Sequence, residues 1–265
     1  MTENSSRVGK IIKYTFKAIG LLLVLGTVGI LLWRFFSSGD PQSTKTLYVN
    51  DATYEAWQAA EAEGRDMVMY SQAYDDITRA DHNRGYFSVT QTLFIEDADQ
   101  VQITFRYNNS TLRHVKEDYH LAEIPDRGED LFDVSLVVIY DLTPENQDDN
   151  EKQTFASPDD TTEEGETVDI NRTDSVMRVR YSPSAQEPAQ KNVYNYRKLV
   201  FDGVDLSGEE YPVLGIFVDV YYKDDIDYTK NSYGTLSIYN YNFSDKAYKL
   251  TGDDKEALAA FGKES

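Results

Sequence analysis

The stretch VQITFRY, Val101 to Tyr107, places an apolar or aromatic residue at every second position, with Gln102, Thr104 and Arg106 between them. Successive side chains of a strand point to opposite faces, so a period of two predicts a β-strand with one face in a core and the other in water. A similar series precedes it in Phe87, Val89, Leu93 and Ile95. Further strands are expected at Met67 to Tyr70, Asp133 to Asp141, Val176 to Tyr181, Val193 to Asp202, Val213 to Lys223 and Tyr233 to Asn242. So many strands in one array, without a convincing helix between them, disfavour parallel βαβ units. They predict a mainly β fold: an antiparallel β-sandwich, jelly-roll-like or immunoglobulin-like, over residues 47–265. Ser135 to Tyr140 and Leu214 to Val220 are apolar at nearly every position, the pattern of strands covered on both faces.

Short helices flank this array. Ala52 to Glu63 (ATYEAWQAAEAE) is rich in helix formers and stops before Gly64, and Asp253 to Phe261 opens with acids suited to a helix N-terminus. Two stretches read as loops inserted into one domain. Pro144 to Thr167, with QDDNEK and DDTTEEGE, is too acidic and too poor in apolar residues to fold alone, and Ser182 to Gln190 (SPSAQEPAQ) is a Pro/Ser/Gln loop.

Towards the N-terminus, Ala18 to Phe36 (AIGLLLVLGTVGILLWRFF) is a run of 19 residues whose only charge, Arg34, lies near its end. As a helix it would extend about 28 Å, the thickness of a bilayer's hydrocarbon core. Arg7, Lys10, Lys13 and Lys17 precede it against the single acid Glu3, and the sequence turns acidic from Asp40. The positive-inside rule then predicts residues 1–17 as a cytoplasmic tail, 18–36 as a transmembrane signal anchor, Ser37 to Thr46 as a linker and the remainder outside the cytoplasm. A cleaved signal peptide is the rival reading, with small residues at Ser37, Ser38 and Gly39. The apolar run is longer than a signal h-region, and no A-x-A site follows it.

The chain carries 46 Asp and Glu against 26 Lys and Arg, a formal charge of −20. Setting aside Arg7, Lys10, Lys13, Lys17, Arg34 and Glu3 leaves 45 acids against 21 bases beyond residue 39, a charge of −24. Such a field repels nucleic acid, so a nucleic-acid partner is not expected. The absence of cysteine excludes a disulfide scaffold and fits an exported protein of a bacterial cell with one membrane.

Motifs for chemistry are scarce. His114 and His120 bracket Glu117, but zincin histidines stand four apart on one helical face, not six. No G-x-S-x-G elbow, phosphate-cradling glycine loop or cysteine nucleophile occurs, so no catalytic residue, metal ligand or cofactor is assigned. Asp224, Asp225 and Asp227 offer oxygens that calcium accepts, without the glycine and glutamate of an EF-hand; a solvated turn is the simpler reading. Tyrosine is the stronger lead. Phe217, Asp219 and Tyr221 alternate with aliphatic residues, as do Tyr233, Thr235, Ser237, Tyr239 and Tyr241. With the aliphatic sides in the core, Phe217, Asp219, Tyr221, Tyr233, Tyr239 and Tyr241 would form an outward aromatic platform for a protein or a cell-envelope glycan. The expected function is a membrane-anchored, non-catalytic binding or assembly protein outside the cytoplasm, held to the lipid bilayer by one helix. Alternatives are a glycan-acting hydrolase, which needs two converging carboxylates, and an accessory subunit of a membrane complex.

Overall fold

The hairpin around this stretch follows from local rules. Strand β3 (Phe87–Ile95) leads through a 3-10 turn, Glu96–Ala98, into β4 (Gln100–Asn108). Asp99 closes the turn in the left-handed region (φ 46), which a short polar side chain tolerates. The antiparallel register runs from Phe87 opposite Tyr107 to Ile95 opposite Gln100, with a bulge between Val89 and Gln91.

The computed structural model describes residues 3–37, 40–73, 78–79, 86–126, 130–142, 168–172, 175–208, 211–227, 232–238 and 247–264. They fall into two units, residues 1–40 and 41–265. The first holds helix α1 (Glu3–Ser37), in which Thr15–Trp33 is long and apolar enough to cross a membrane. The second begins with the one-turn helix α2 (Gln42–Lys45) and helix α3 (Asp51–Ala62), followed by β1 (Met69–Ala73) and β2 (Thr78–Arg79). After β3 and β4 come α4 (Asn109–Asp118), β5 (Phe132–Asp141), β6 (Val168–Arg172), β7 (Val176–Tyr181), β8 (Ala185–Lys191) and β9 (Tyr194–Phe201). The chain ends with β10 (Val213–Tyr222), β11 (Gly234–Ser237) and α5 (Gly252–Glu264).

The strands make two sheets, ordered β1-β3-β4-β9-β8 and β2-β11-β10-β5-β7-β6, with antiparallel pairing throughout. One buried cluster is shared between them, with Val89, Ile103 and Phe105 from the first and Leu136, Val138, Ile216 and Val218 from the second. A smaller cluster lies on the far face of the first sheet. There Leu47, Ala56 and Ala60, together with Leu258 of α5, pack on Met69, Leu93 and Ile95.

The fold is therefore mixed α/β, with five α-helices and two open, uncurled antiparallel sheets among the described residues, and not the mainly β sandwich of jelly-roll-like or immunoglobulin-like type that the alternation predicts. Two elements of the folded unit depart from the reading of the sequence. Helix α4 breaks the strand array after β4: Asn108 caps it, accepting from Ser110 N (2.8 Å) and Thr111 N (3.2 Å), and only Leu112 and Val115 supply an apolar face. The Ser182 to Gln190 stretch, read as a loop, contains most of β8, an edge strand in which Pro188 stands opposite Arg197. Its side chains carry no core signal, and backbone pairing alone makes it a strand. The acidic Pro144 to Thr167 stretch lies outside the described residues.

Candidate functional site

The polar side of β4 is not in water. Gln100, Gln102 and Thr104 are as buried as the core residues between them, because the chain just after the apolar helix lies across them. Their side chains, with those of β9 and α5, bind the backbone of that segment. Thr104 Oγ1 donates to Thr44 O (2.7 Å), and Lys198 Nζ donates to Thr46 O. Asp254 Oδ1 accepts from Leu47 N (2.7 Å). Gln102 makes a two-way contact with one residue, accepting from Tyr48 N (2.9 Å) and donating to Tyr48 O (2.8 Å). Below this, Asn50 caps α3 by accepting from Thr53 N (3.1 Å), and Gln100 Nε2 donates to Asn50 Oδ1 (3.1 Å) and to Asp202. The stretch read as a linker thus contains α2, and from Pro41 it belongs to the folded unit.

Lys198 and Asp254 in this network are displaced from their ordinary values. Burial brings the Lys198 ammonium from 10.5 down to about 8, with Glu187 and Asp254 opposing the shift. Burial alone would raise the Asp254 carboxyl, but hydrogen bonds from Leu47 N–H, Thr251 and Tyr248 outweigh it and hold the group below its usual range.

The residues of the expected aromatic platform are placed as follows. β10 and β11 are neighbours, with Phe217 opposite Ser237 and Asp219 opposite Thr235. Phe217 is half-buried, whereas Asp219 and Tyr221 are buried. Asp219 Oδ2 accepts from Arg178 and Arg180 (3.1 Å each), and its Oδ1 accepts from Thr235 Oγ1 (2.8 Å). Arg180 also donates to Ser135 Oγ (2.6 Å) and lies over the Tyr221 ring, 5.3 Å from its centre. Tyr233, just before β11, turns towards the shared core among Tyr86, Phe87, Tyr119 and Phe132, and its hydroxyl donates to Asp118 (2.7 Å). Burial pushes that hydroxyl well above the ordinary tyrosine value, and Asp118 adds to the shift. Tyr239 and Tyr241 lie outside the described residues.

The remaining candidates are dispersed. His114 stacks on Tyr86 (ring centres 4.3 Å apart) and faces Glu117 at 3.7 Å, while His120 sits past the end of α4 with φ 53. Asp224 accepts from Tyr222 OH (3.0 Å). Among the described residues no group of His, Cys, Asp and Glu is arranged to hold a metal ion. Sequence reasoning passed over Gln102, Thr104, Lys198 and Asp254. The available signal was the neutral Gln100, Gln102, Thr104 series, since an exposed strand face draws more freely on charged residues and a buried polar face needs groups that both donate and accept. No family model, curated protein or solved structure matches the chain.

Proposed function

We propose that this chain is a single-pass membrane protein whose folded unit stands outside the cytoplasm and works by binding or assembly rather than catalysis. One observation carries this reading: the buried charges are used to hold the protein together. Among the described residues these are Arg180, Arg197, Lys198, Asp219 and Asp254. Arg180 pairs with Asp219, Arg197 with Asp130, Lys198 with the Thr46 carbonyl, and Asp254 with the Leu47 amide. A catalytic carboxylate pair needs two acids converging on one bond. The two buried acids do not converge: Asp219 lies on the side of its sheet away from the shared core, and Asp254 belongs to the helix on the outer side of the other sheet. The basic residues before the apolar helix and the acidic chain after it support the orientation.

The lack of native cysteine makes the topology directly measurable. In intact cells an impermeant maleimide is expected to label Lys263→Cys, and to label Ser5→Cys only after permeabilisation; the reverse pattern would overturn the orientation. Affinity capture of the full chain from its own envelope, with protein and glycan identification, is expected to yield a stoichiometric partner. Recovery of the chain alone would overturn the binding reading.

A further inference from the structure

Helix α1 is longer than the part of it that can cross a membrane. That part begins at Thr15 and the helix at Glu3, so Glu3 to Tyr14 add about 18 Å of helix before the span. Orienting a span requires only that basic residues be more numerous on one side of it, and makes no demand on their places around a helix. Here their places are ordered. At about 100° per residue, positions Arg7, Lys10, Lys13 and Lys17 fall within roughly 120° of the circumference, and Val8, Ile11, Ile12 and Phe16 within roughly 140° on the other side, without overlap. Tyr14, of a residue type enriched at membrane interfaces, falls among the basic positions. Glu3 falls there too, one turn before Arg7, and offsets one of their charges. A helix that is basic along one side and apolar along the other suits the surface of an anionic bilayer, and this one is continuous with a span.

We infer that residues 7–17 make a second membrane contact besides the span: an interfacial stretch whose basic positions bind the headgroups of anionic lipids and whose apolar positions enter the boundary of the acyl chains. The arrangement selects this occupant. A second helix paired along Val8, Ile11, Ile12 and Phe16 would cover the apolar side and leave the basic side unmatched, whereas an anionic leaflet meets both. A continuous helix reaches this contact by tilting, so that its emerging end leans onto the bilayer along the apolar side, and lysine and arginine are long enough to reach the headgroups beside it. The span already holds the stretch at the surface, where headgroups are met at high local concentration. This inference goes beyond the binding reading above, since it concerns the opposite side of the membrane from the folded unit, and it rests only on the span.

The test uses the full chain in nanodiscs, whose two leaflets are alike, so the outcome does not depend on which side of a cell membrane residues 1–17 occupy. The chain has no cysteine, and Val8→Cys therefore accepts a single environment-sensitive fluorophore. With about 30 per cent phosphatidylglycerol in phosphatidylcholine, its emission is expected to be blue-shifted and at least about twofold stronger than in phosphatidylcholine alone, and about 0.5 M sodium chloride is expected to reverse much of that gain. Inorganic phosphate added to phosphatidylcholine nanodiscs is expected to leave the emission unchanged; a matching response would assign the basic positions to free phosphate and overturn the lipid. Exchanging two neighbours, Ile12→Lys with Lys13→Ile, keeps the charge and composition of the stretch but sets a base among the apolar positions, and is expected to abolish the lipid response. A response that survives this exchange, or equal emission in the two bilayers, would overturn the proposal.

Discussion

Lys198 shows at the scale of one residue how the site departs from what its sequence suggests. A lysine at a polar position of a strand reads as a solvated charge, yet this one is buried and donates to the Thr46 carbonyl. Its pKa of about 8 lies below the ordinary 10.5, so between those values the unfolded chain binds the proton more often than the folded one. Stability linked to this group is therefore lowest below about pH 8 and rises as pH climbs towards the ordinary lysine value. The neutral amine keeps its hydrogen bond to Thr46. Relative to Lys198→Met, the unaltered protein should gain about 2 to 3 kcal/mol between pH 7 and pH 10. Urea unfolding of both proteins across that range measures it, and a constant difference would show that the ammonium is not desolvated. Gln102 and Thr104 teach the same lesson: alternation located their strand and separated its two faces, but could not distinguish water from a backbone as the partner of the polar one.

At the scale of elements, the legible parts were those with a strong period and a matching composition. β4, β5, β7, β9 and β10 emerge close to where alternation puts them, and α3 and α5 where helix formers and acidic first turns put them. Helix α4 was hidden because its cap is an asparagine within a polar stretch and its buried side is two residues wide; β8 was hidden because nothing on it is buried. How closely elements approach was equally illegible. Gly234 on β11 faces Phe87 on β3, and a Cβ there would lie 2.8 Å from the ring. Phe87 cannot yield easily, being stacked on Phe105 and set edge-on to Phe132. Gly234→Ala should thus destabilise the domain by about 1 to 3 kcal/mol. Gly252→Ala, with open space around the added carbon, should stay within about 0.5 kcal/mol of the parent. Thermal unfolding of the pair decides it, and equal losses would mean that β11 can move away from β3.

Across the whole molecule, the charge of −20 opposes compactness by self-repulsion, whereas exposed pairs such as Arg65 with Glu63 and Asp97 favour it weakly. Salt screens both, and with acids exceeding bases by 20 the repulsion has more to lose on screening than a few exposed pairs. Raising sodium chloride from about 10 mM to about 0.5 M, which shortens the screening length from about 30 Å to under 5 Å, should raise the melting temperature. A fall would mean that the ion pairs carry more of the stability than the net charge removes. The edge strand β8 has a consequence of another kind. Proline has no amide hydrogen, and within sheets it is confined to edges with that side turned outward, so Pro188 leaves a gap in the row of donors an approaching strand would need. Two copies meeting along this border would lack one rung of the ladder needed to fuse their sheets, which guards the edge against fibrous aggregation.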